Sequence, residues 1–304
     1  MTLTEEGKTL IEEITASSQL NILPQSYGGG QCFDKPFFGV SQGNDPLFEK
    51  FKEVIAIDHP TPVEIWTLNE LPDKENLAST LRVLSMVFPY SNEVCEAGKK
   101  ENGKLPVELT TIARNYSEEF INMILVKTVE FFLQKGFSAL APKLTPGYGY
   151  IKRKNPFAVY SNWSERHIAF VAGLGYFGFN NILITKKGCG VILASVITDA
   201  PLSVTPRSID NPHNCLFYKN KCDKCITKCP SHALTKNGHN GETCLNYCQE
   251  VRSIIKTLPI VKVLKKRYRK LKLENNRVEV SYPSGCVLCQ FGLPCTEKDP
   301  LDII

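Results

Sequence analysis

The 304 residues are 42% hydrophobic, 22% charged and 10% aromatic, the balance of a globular protein long enough for two cores, which excludes a disordered, collagenous or coiled-coil chain. No run approaches the roughly 18 uninterrupted apolar residues of a membrane span, and the opening MTLTEEGKTLIEEI reads as a capped helix and not a secretion signal; the expected location is cytoplasmic, with no membrane partner. The formal charge of +5 is unevenly spread, with 17 Lys and Arg against 9 Asp and Glu in residues 206–304, and 19 against 22 in residues 1–205.

Along the chain, residues 4–16 carry Leu10, Ile11 and Ile14 at helical spacing, and Asp45-Pro46 opens a short helix over 46–55 with proline in its first turn. Residues 81–88, LRVLSMVF, predict a buried strand stopped by Pro89. Asn115 and Glu118 have the spacing of a capping box, and Phe120, Ile121, Ile124, Leu125, Thr128, Val129 and Phe132 continue one helical face until Gly136. Asn162 and Glu165 repeat the cap pattern and start a helix through Ala172. A glycine-rich loop at 173–178 is followed by β runs over 181–185 and 191–198, split by Lys186-Lys187-Gly188, which predict a hairpin. Helices interleaved with strands predict an α+β fold for this part of the chain. Pro201, Pro206 and Pro212 punctuate a junction, so that two domains are expected, over 1–205 and 206–304. Residues 256–272 hold eight Lys and Arg and no acid; Leu258, Val261, Leu264, Tyr268 and Leu271 fit one face of an amphipathic helix with a solvated basic side.

Twelve cysteines are the outlying feature of the composition. Without a secretion signal, metal or cluster ligation explains them better than disulfides, because cytosolic thiols stay reduced. Cys32, Cys95 and Cys189 are scattered, whereas nine fall between Cys215 and Cys295. The run Cys215-x6-Cys222-x2-Cys225-x3-Cys229-Pro230 is a stretched form of the bacterial ferredoxin pattern, whose fourth cysteine ligates the neighbouring cluster. A second run, Cys286-x2-Cys289-x5-Cys295, supplies the complementary half. Crossing the two gives one [4Fe-4S] cluster on Cys215, Cys222, Cys225 and Cys295. A second falls on Cys229, Cys286 and Cys289, completed by Cys244 or Cys248. Zinc sites of four cysteines are the competing expectation, since paired C-x2-C spacings also describe zinc ribbons.

Gly173-Leu-Gly175-Tyr-Phe-Gly178 matches G-x-G-x-x-G, with Asp199 about twenty residues further on. A dinucleotide loop follows a strand and opens a helix, whereas this one follows a helix and precedes the strand NNILIT. Nicotinamide binding is therefore not expected. The glycines call either for a flat cofactor lying against the backbone or for a tight turn of the chain on itself.

Glu165-Arg166, Ala172-Gly-Leu-Gly175, Gly178, the following Leu-Ile strand, Thr198-Asp199-Ala-Pro-Leu202 and the double cysteine region together resemble the epoxyqueuosine reductase family, relatives of the corrinoid reductive dehalogenases. The segment VLSMVFPY, residues 83–90, looks like that family's first core strand. The resemblance implies a nitroreductase-like α+β domain that binds cobalamin, followed by a two-cluster ferredoxin-like domain that feeds it electrons. It places Gly173, Gly175 and Gly178 against the corrin and makes Cys244, in TCLNY, the ligand between the two runs, with Cys248 spare. It further implies a small-molecule or modified-nucleoside substrate, reduced ferredoxin or flavodoxin as electron donor, and tRNA as a partner.

One departure stands out. The family carries a proton-donating Asp in a Val-Asp pair ahead of Glu-Arg; here that place falls to Val159 or Tyr160, and residues 155–164, NPFAVYSNWS, hold no acid. Reduction of epoxyqueuosine itself is thus not the expected reaction. Nor does the chain continue into the helical repeats with which some members grip tRNA. Tyr160 is the candidate catalytic donor, its alternative being a core aromatic at a helix entry; His167 reads more simply as structural, and Arg207 and Tyr148 are weaker candidates. A different class of function, an electron carrier without its own corrinoid that docks through residues 256–272, is the alternative to a reductase. A zinc module that binds nucleic acid is the third.

Overall fold

The computed structural model describes residues 2–73, 75–100, 103–152, 159–207, 214–265 and 285–303. Helix α1 spans Leu3–Ser17, capped by the Thr2 side chain. Strand β1 (Phe37–Gln42) is followed by α2 (Pro46–Val54), α3 (Pro62–Leu68), α4 (Leu77–Thr80) and β2 (Arg82–Pro89). Then come α5 (Asn92–Lys99), α6 (Glu108–Gln134), β3 (Ala139–Leu140), β4 (Tyr150–Lys152), β5 (Val159–Ser161) and α7 (Glu165–Val171). Strands β6 (Gly175–Phe177), β7 (Leu183–Thr185) and β8 (Val191–Thr198) lead to α8 (Lys224–Thr227), β9 (Leu234–Thr235), β10 (Gly238–His239) and α9 (Gly241–Ile255). Among the described residues no helix is long and apolar enough to cross a membrane.

Strand order β1-β2-β8-β3, antiparallel throughout, makes the main sheet. Side chains alternate across a strand, and β2 shows the consequence. Leu84, Met86 and Phe88 enter one core with Ile11 of α1 and Phe120 and Ile124 of α6, while Val83 faces Phe48, Trp66 and Ile168 of α2, α3 and α7 on the other side. The fold is therefore α+β, a sheet between two helical layers. The first core also takes in Val251, Ile255, Ile260, Leu264, Val287 and Phe291, so the cysteine-bearing part of the chain shares buried surface with the sheet layer.

Three local expectations are corrected. The long helix α6 begins at Glu108 and not at Asn115. Asn115 lies buried inside it, and its side-chain amide bonds back to the Thr111 carbonyl at 2.7 Å, the use that a polar side chain finds within a helix. Ser164, not Asn162, is the residue before α7; Asn162 instead clamps the preceding loop, accepting from Gly149 N at 3.0 Å and donating to the Gly147 carbonyl at 2.6 Å.

The third correction concerns the hairpin. Strand β7 pairs with β6, and β8 pairs with β2 and β3. Residues 194–198 are buried throughout, Ala194 and Val196 toward one layer and Ile197 toward the other, so β8 gains most at the centre of the sheet. In the basic segment, residues 260–265 are helical with Leu264 buried, while Tyr268 and Leu271 lie outside the described residues.

Candidate functional site

A cavity of about 1020 Å3 opens between α2, β5, α7 and the segment leading into β6 on one side, and Asn214, His239 and Gly241 on the other. Phe51, Phe170 and Phe177 supply apolar wall; Lys50, Arg166, His167, Arg207 and His239 supply polarity, and no carboxylate belongs to the described lining. The size lies at the upper end for ligand sites, roughly 300–1,000 Å3. Arg207 is held by Asp45 at 2.8 Å and by the Val171 carbonyl at 2.9 Å. Arg166, exposed, donates to the Asn181 carbonyl.

His167 hydrogen-bonds Ser164 Oγ at 2.7 Å and packs on Phe51 and Phe177. Burial, and then the neighbouring Arg166 charge, push it down to about 3, so at neutral pH it is an uncharged hydrogen-bonding group. Glu165, on the same helix, is not part of the cavity lining. Burial pushes it up to about 7, against the lowering effect of its hydrogen bonding with Ser195.

Tyr160 lies in β5, buried, and lines the cavity. Its hydroxyl donates to both oxygens of Asp58, at 2.8 Å each. Asp58 reaches it from the turn after α2. Asp58 and its neighbour His59 were not legible as site residues, because 102 positions separate Asp58 from Tyr160; the only signal was an acidic residue beside a histidine. His59 is fully buried, accepts from Ser164 N at 3.3 Å, and is pushed down to about 4 by burial. Tyr148 packs beside the second core and Asp199 accepts from Ser138 N at 2.9 Å, so neither lines the cavity.

The glycine loop does turn out of a helix and into a strand. Gly173 and Gly175 line the large cavity. Gly175 is glycine for a local reason: a Cβ there would stand 2.2 Å from the Ile184 carbonyl oxygen of the paired strand β7. Gly178 faces a different space, a cavity of about 30 Å3 that it lines with Phe179, Phe217 and Leu293 and with the sulfur-bearing residues Cys215, Cys222, Cys225 and Cys295. These are the four cysteines that crossing the two runs assigns to one cluster. The loop from Gly173 to Gly178 therefore forms part of the wall of both cavities. Tyr176 spans that wall: it lines the large cavity while its hydroxyl donates to Asp299 at 2.6 Å, close enough to Cys215 and Cys295 to feel their charge.

Cys229, Cys244, Cys248, Cys286 and Cys289 gather in a second group. Cys289 is influenced, after burial, by Cys286, Cys229, Cys225 and Cys248, and Cys244 by Cys248, Cys289 and Cys286. Both Cys244 and Cys248, hydrogen-bonded to each other, thus stand beside Cys286 and Cys289. Burial pushes Cys225 and Cys289 up to about 12, so a positive centre is what would turn them into thiolates, and the donor sets fit an iron–sulfur cluster. Among the described residues no three His, Cys, Asp or Glu side chains converge on a point that would hold one metal ion. A further thiol was missed: Cys189, read as scattered, lies with its sulfur 3.7 Å from that of Cys295.

No family model matches the chain. A curated epoxyqueuosine reductase from Cyclobacterium marinum is 31% identical over 132 residues, 43% of this chain and 36% of that protein. One from Aliivibrio fischeri is 30% identical over 142 residues, 46% of this chain and 32% of that protein. A solved epoxyqueuosine reductase from Bacillus subtilis superposes with a TM-score of 0.45 at 18% identity, covering 98% of this chain and 66% of that one. The aligned segment spans about a third of the length of these curated relatives, and over it the chain is similar to epoxyqueuosine reductases.

Proposed function

We propose that the chain is an iron–sulfur oxidoreductase that carries electrons through two [4Fe-4S] clusters to a corrinoid in the large cavity, where a small molecule or modified nucleoside is reduced. The observation that carries this reading is the shared wall. Residues of one glycine loop line both a cavity sized for a large cofactor and a small cavity beside four cysteines, the adjacency that electron transfer from one to the other needs.

Cys215, Cys222, Cys225 and Cys295 would hold one cluster, and Cys229, Cys286 and Cys289 with Cys244 the other. Residues 206–304 are then the ferredoxin-like part and residues 1–205 the nitroreductase-like part. A corrinoid, when bound, supplies reducing chemistry that no side chain offers. The chain does the rest. The backbone at Gly173 and Gly175 lets a flat group approach, and Phe51, Phe170 and Phe177 keep water out. Lys50 and Arg166 offer positive charge to an anionic group, and His167 stays neutral. Tyr160, a residue of the cavity lining, holds a proton at its hydroxyl and is the proposed donor. Since no acid occupies the family's place for the catalytic Asp, epoxyqueuosine is not assigned as the substrate; tRNA enters only through the resemblance. Reduced ferredoxin or flavodoxin would be the electron donor, in the cytoplasm.

The test is the visible spectrum of anaerobically purified protein before and after cobalamin and dithionite, with iron, zinc and cobalt counted on the same sample. Brown protein with about eight irons per chain and an altered corrinoid spectrum is the expected result. Brown protein indifferent to cobalamin moves the assignment to an electron carrier that serves a partner enzyme. Colourless zinc protein overturns the reading.

A further inference from the structure

Cys189 belongs to neither cysteine run, yet it is held beside one of them. It sits fully buried in the turn between β7 and β8, and that turn is stitched to the chain around Cys295. Cys189 N donates to the Cys295 carbonyl at 2.7 Å and Gly190 N to the Thr296 carbonyl at 2.7 Å. The Gln290 side-chain amide donates to the Cys189 carbonyl at 2.9 Å and to the Val191 carbonyl at 3.1 Å. The turn also needs its glycine. Gly188 has φ +74, and a Cβ there would stand 2.4 Å from the Thr296 carbonyl oxygen. With the backbone fixed on both sides, the Cys189 sulfur lies 3.7 Å from the Cys295 sulfur and 3.5 Å from the Gln290 carbonyl oxygen. Tyr176 and Ile184 close the apolar surround, with Cys215 and Cys295 packed against it.

We propose that Cys189 is not a ligand but a hydrogen-bond donor to the Cys295 sulfur, and that it raises the reduction potential of the cluster on Cys215, Cys222, Cys225 and Cys295. The inference rests on the cluster assignment made under the proposed function. A cysteine that ligates iron does so as thiolate, without a proton, so of the two sulfurs only Cys189 has one to donate. The anionic sulfur is a stronger acceptor than the neutral Gln290 carbonyl. Reduction adds negative charge to the cluster and its sulfurs, so a donor aimed at one of them stabilises the reduced state more than the oxidised one. Hydrogen bonds to the sulfurs are among the levers that set such potentials. Burial strengthens the effect because no water competes for the donor. The cluster nearest the Gly173–Gly178 wall is thereby kept easier to reduce than its ligands alone would make it.

The experiment is an EPR-monitored redox titration of the anaerobic wild type, Cys189→Ala and Cys189→Ser, with iron counted in each. In Cys189→Ala the expected result is an unchanged iron count and one cluster harder to reduce by about tenfold, 59 mV for a one-electron couple. The other cluster keeps its potential. Cys189→Ser retains a donor and recovers most of the shift. If the alanine variant does not assemble, Cys189→Val fills the volume without a donor and reads the same change. Intact iron with both potentials unmoved overturns the proposal, and so does loss of four irons, which would make Cys189 a ligand. A wild type without clusters is a different failure, that of the function assigned above, and is visible before any variant is made.

Discussion

The Tyr160 hydroxyl donates to both carboxylate oxygens of Asp58 at 2.8 Å, joining a buried strand residue that lines the large cavity to an exposed residue of the turn after α2. A phenol held in this way has a fixed direction and a neighbour able to return a proton from solvent. Proton donation by a positioned side chain is worth about 10²–10⁴-fold in rate. Tyr160→Phe is therefore expected to lower turnover by that factor in a viologen-driven reduction assay, with the melting temperature nearly unchanged. Asp58→Asn, which leaves the phenol in place, is expected to lose less.

Iron counting separates the cysteines. Cys222→Ala and Cys225→Ala are each expected to drop the content from about eight irons to about four, because a cubane that lacks one of its four thiolates is lost while the other survives. The same count decides between Cys244 and Cys248: Cys244→Ser is expected to cost four irons and Cys248→Ser none.

Gly175 offers a test of packing alone. An added methyl meets the Ile184 carbonyl oxygen of the partner strand at 2.2 Å, and backbone cannot move aside as a flexible side chain can. Gly175→Ala is expected to destabilise the fold by about 1–3 kcal/mol, read as a lower melting temperature even in protein prepared without cofactor.

Two histidines, His59 buried and His167 half-buried, set an acid limit. His59 is pushed down to about 4 and His167 to about 3, both chiefly by burial, whereas in the unfolded chain histidine titrates near 6.5. Between those values the unfolded chain binds protons that the fold refuses. Stability from this source is complete above pH 6.5 and falls as the pH drops, by about 2 kcal/mol per histidine at pH 5. Glu165, pushed up to about 7 by burial, acts in the opposite sense: its cost is present above pH 7 and is relieved as the pH falls. Denaturant titrations at pH 7 and pH 5 should therefore show a smaller acid loss for His167→Gln than for the wild type, and a larger one for Glu165→Gln.

Local chemistry was readable wherever neighbours in sequence decide the outcome. The cap and proline of α2 and the apolar run of β2 rest on spacings of a few residues. The turn of the glycine loop out of α7 was legible for the same reason, as was the case against a dinucleotide site. The start of α6 was not, because a capping-box spacing at Asn115 is also compatible with a buried helix interior, and only the packing of residues 108–115 distinguishes them.

What the tertiary structure alone decided are the meetings across long separations. β8 left its expected hairpin partner for the centre of the sheet because both of its faces find apolar cover there. Asp58 reaches Tyr160, and Cys189 reaches Cys295, across 102 and 106 positions. No periodicity or spacing encodes such contacts. They exist because close packing of the sheet and its helices leaves each side chain one place to go.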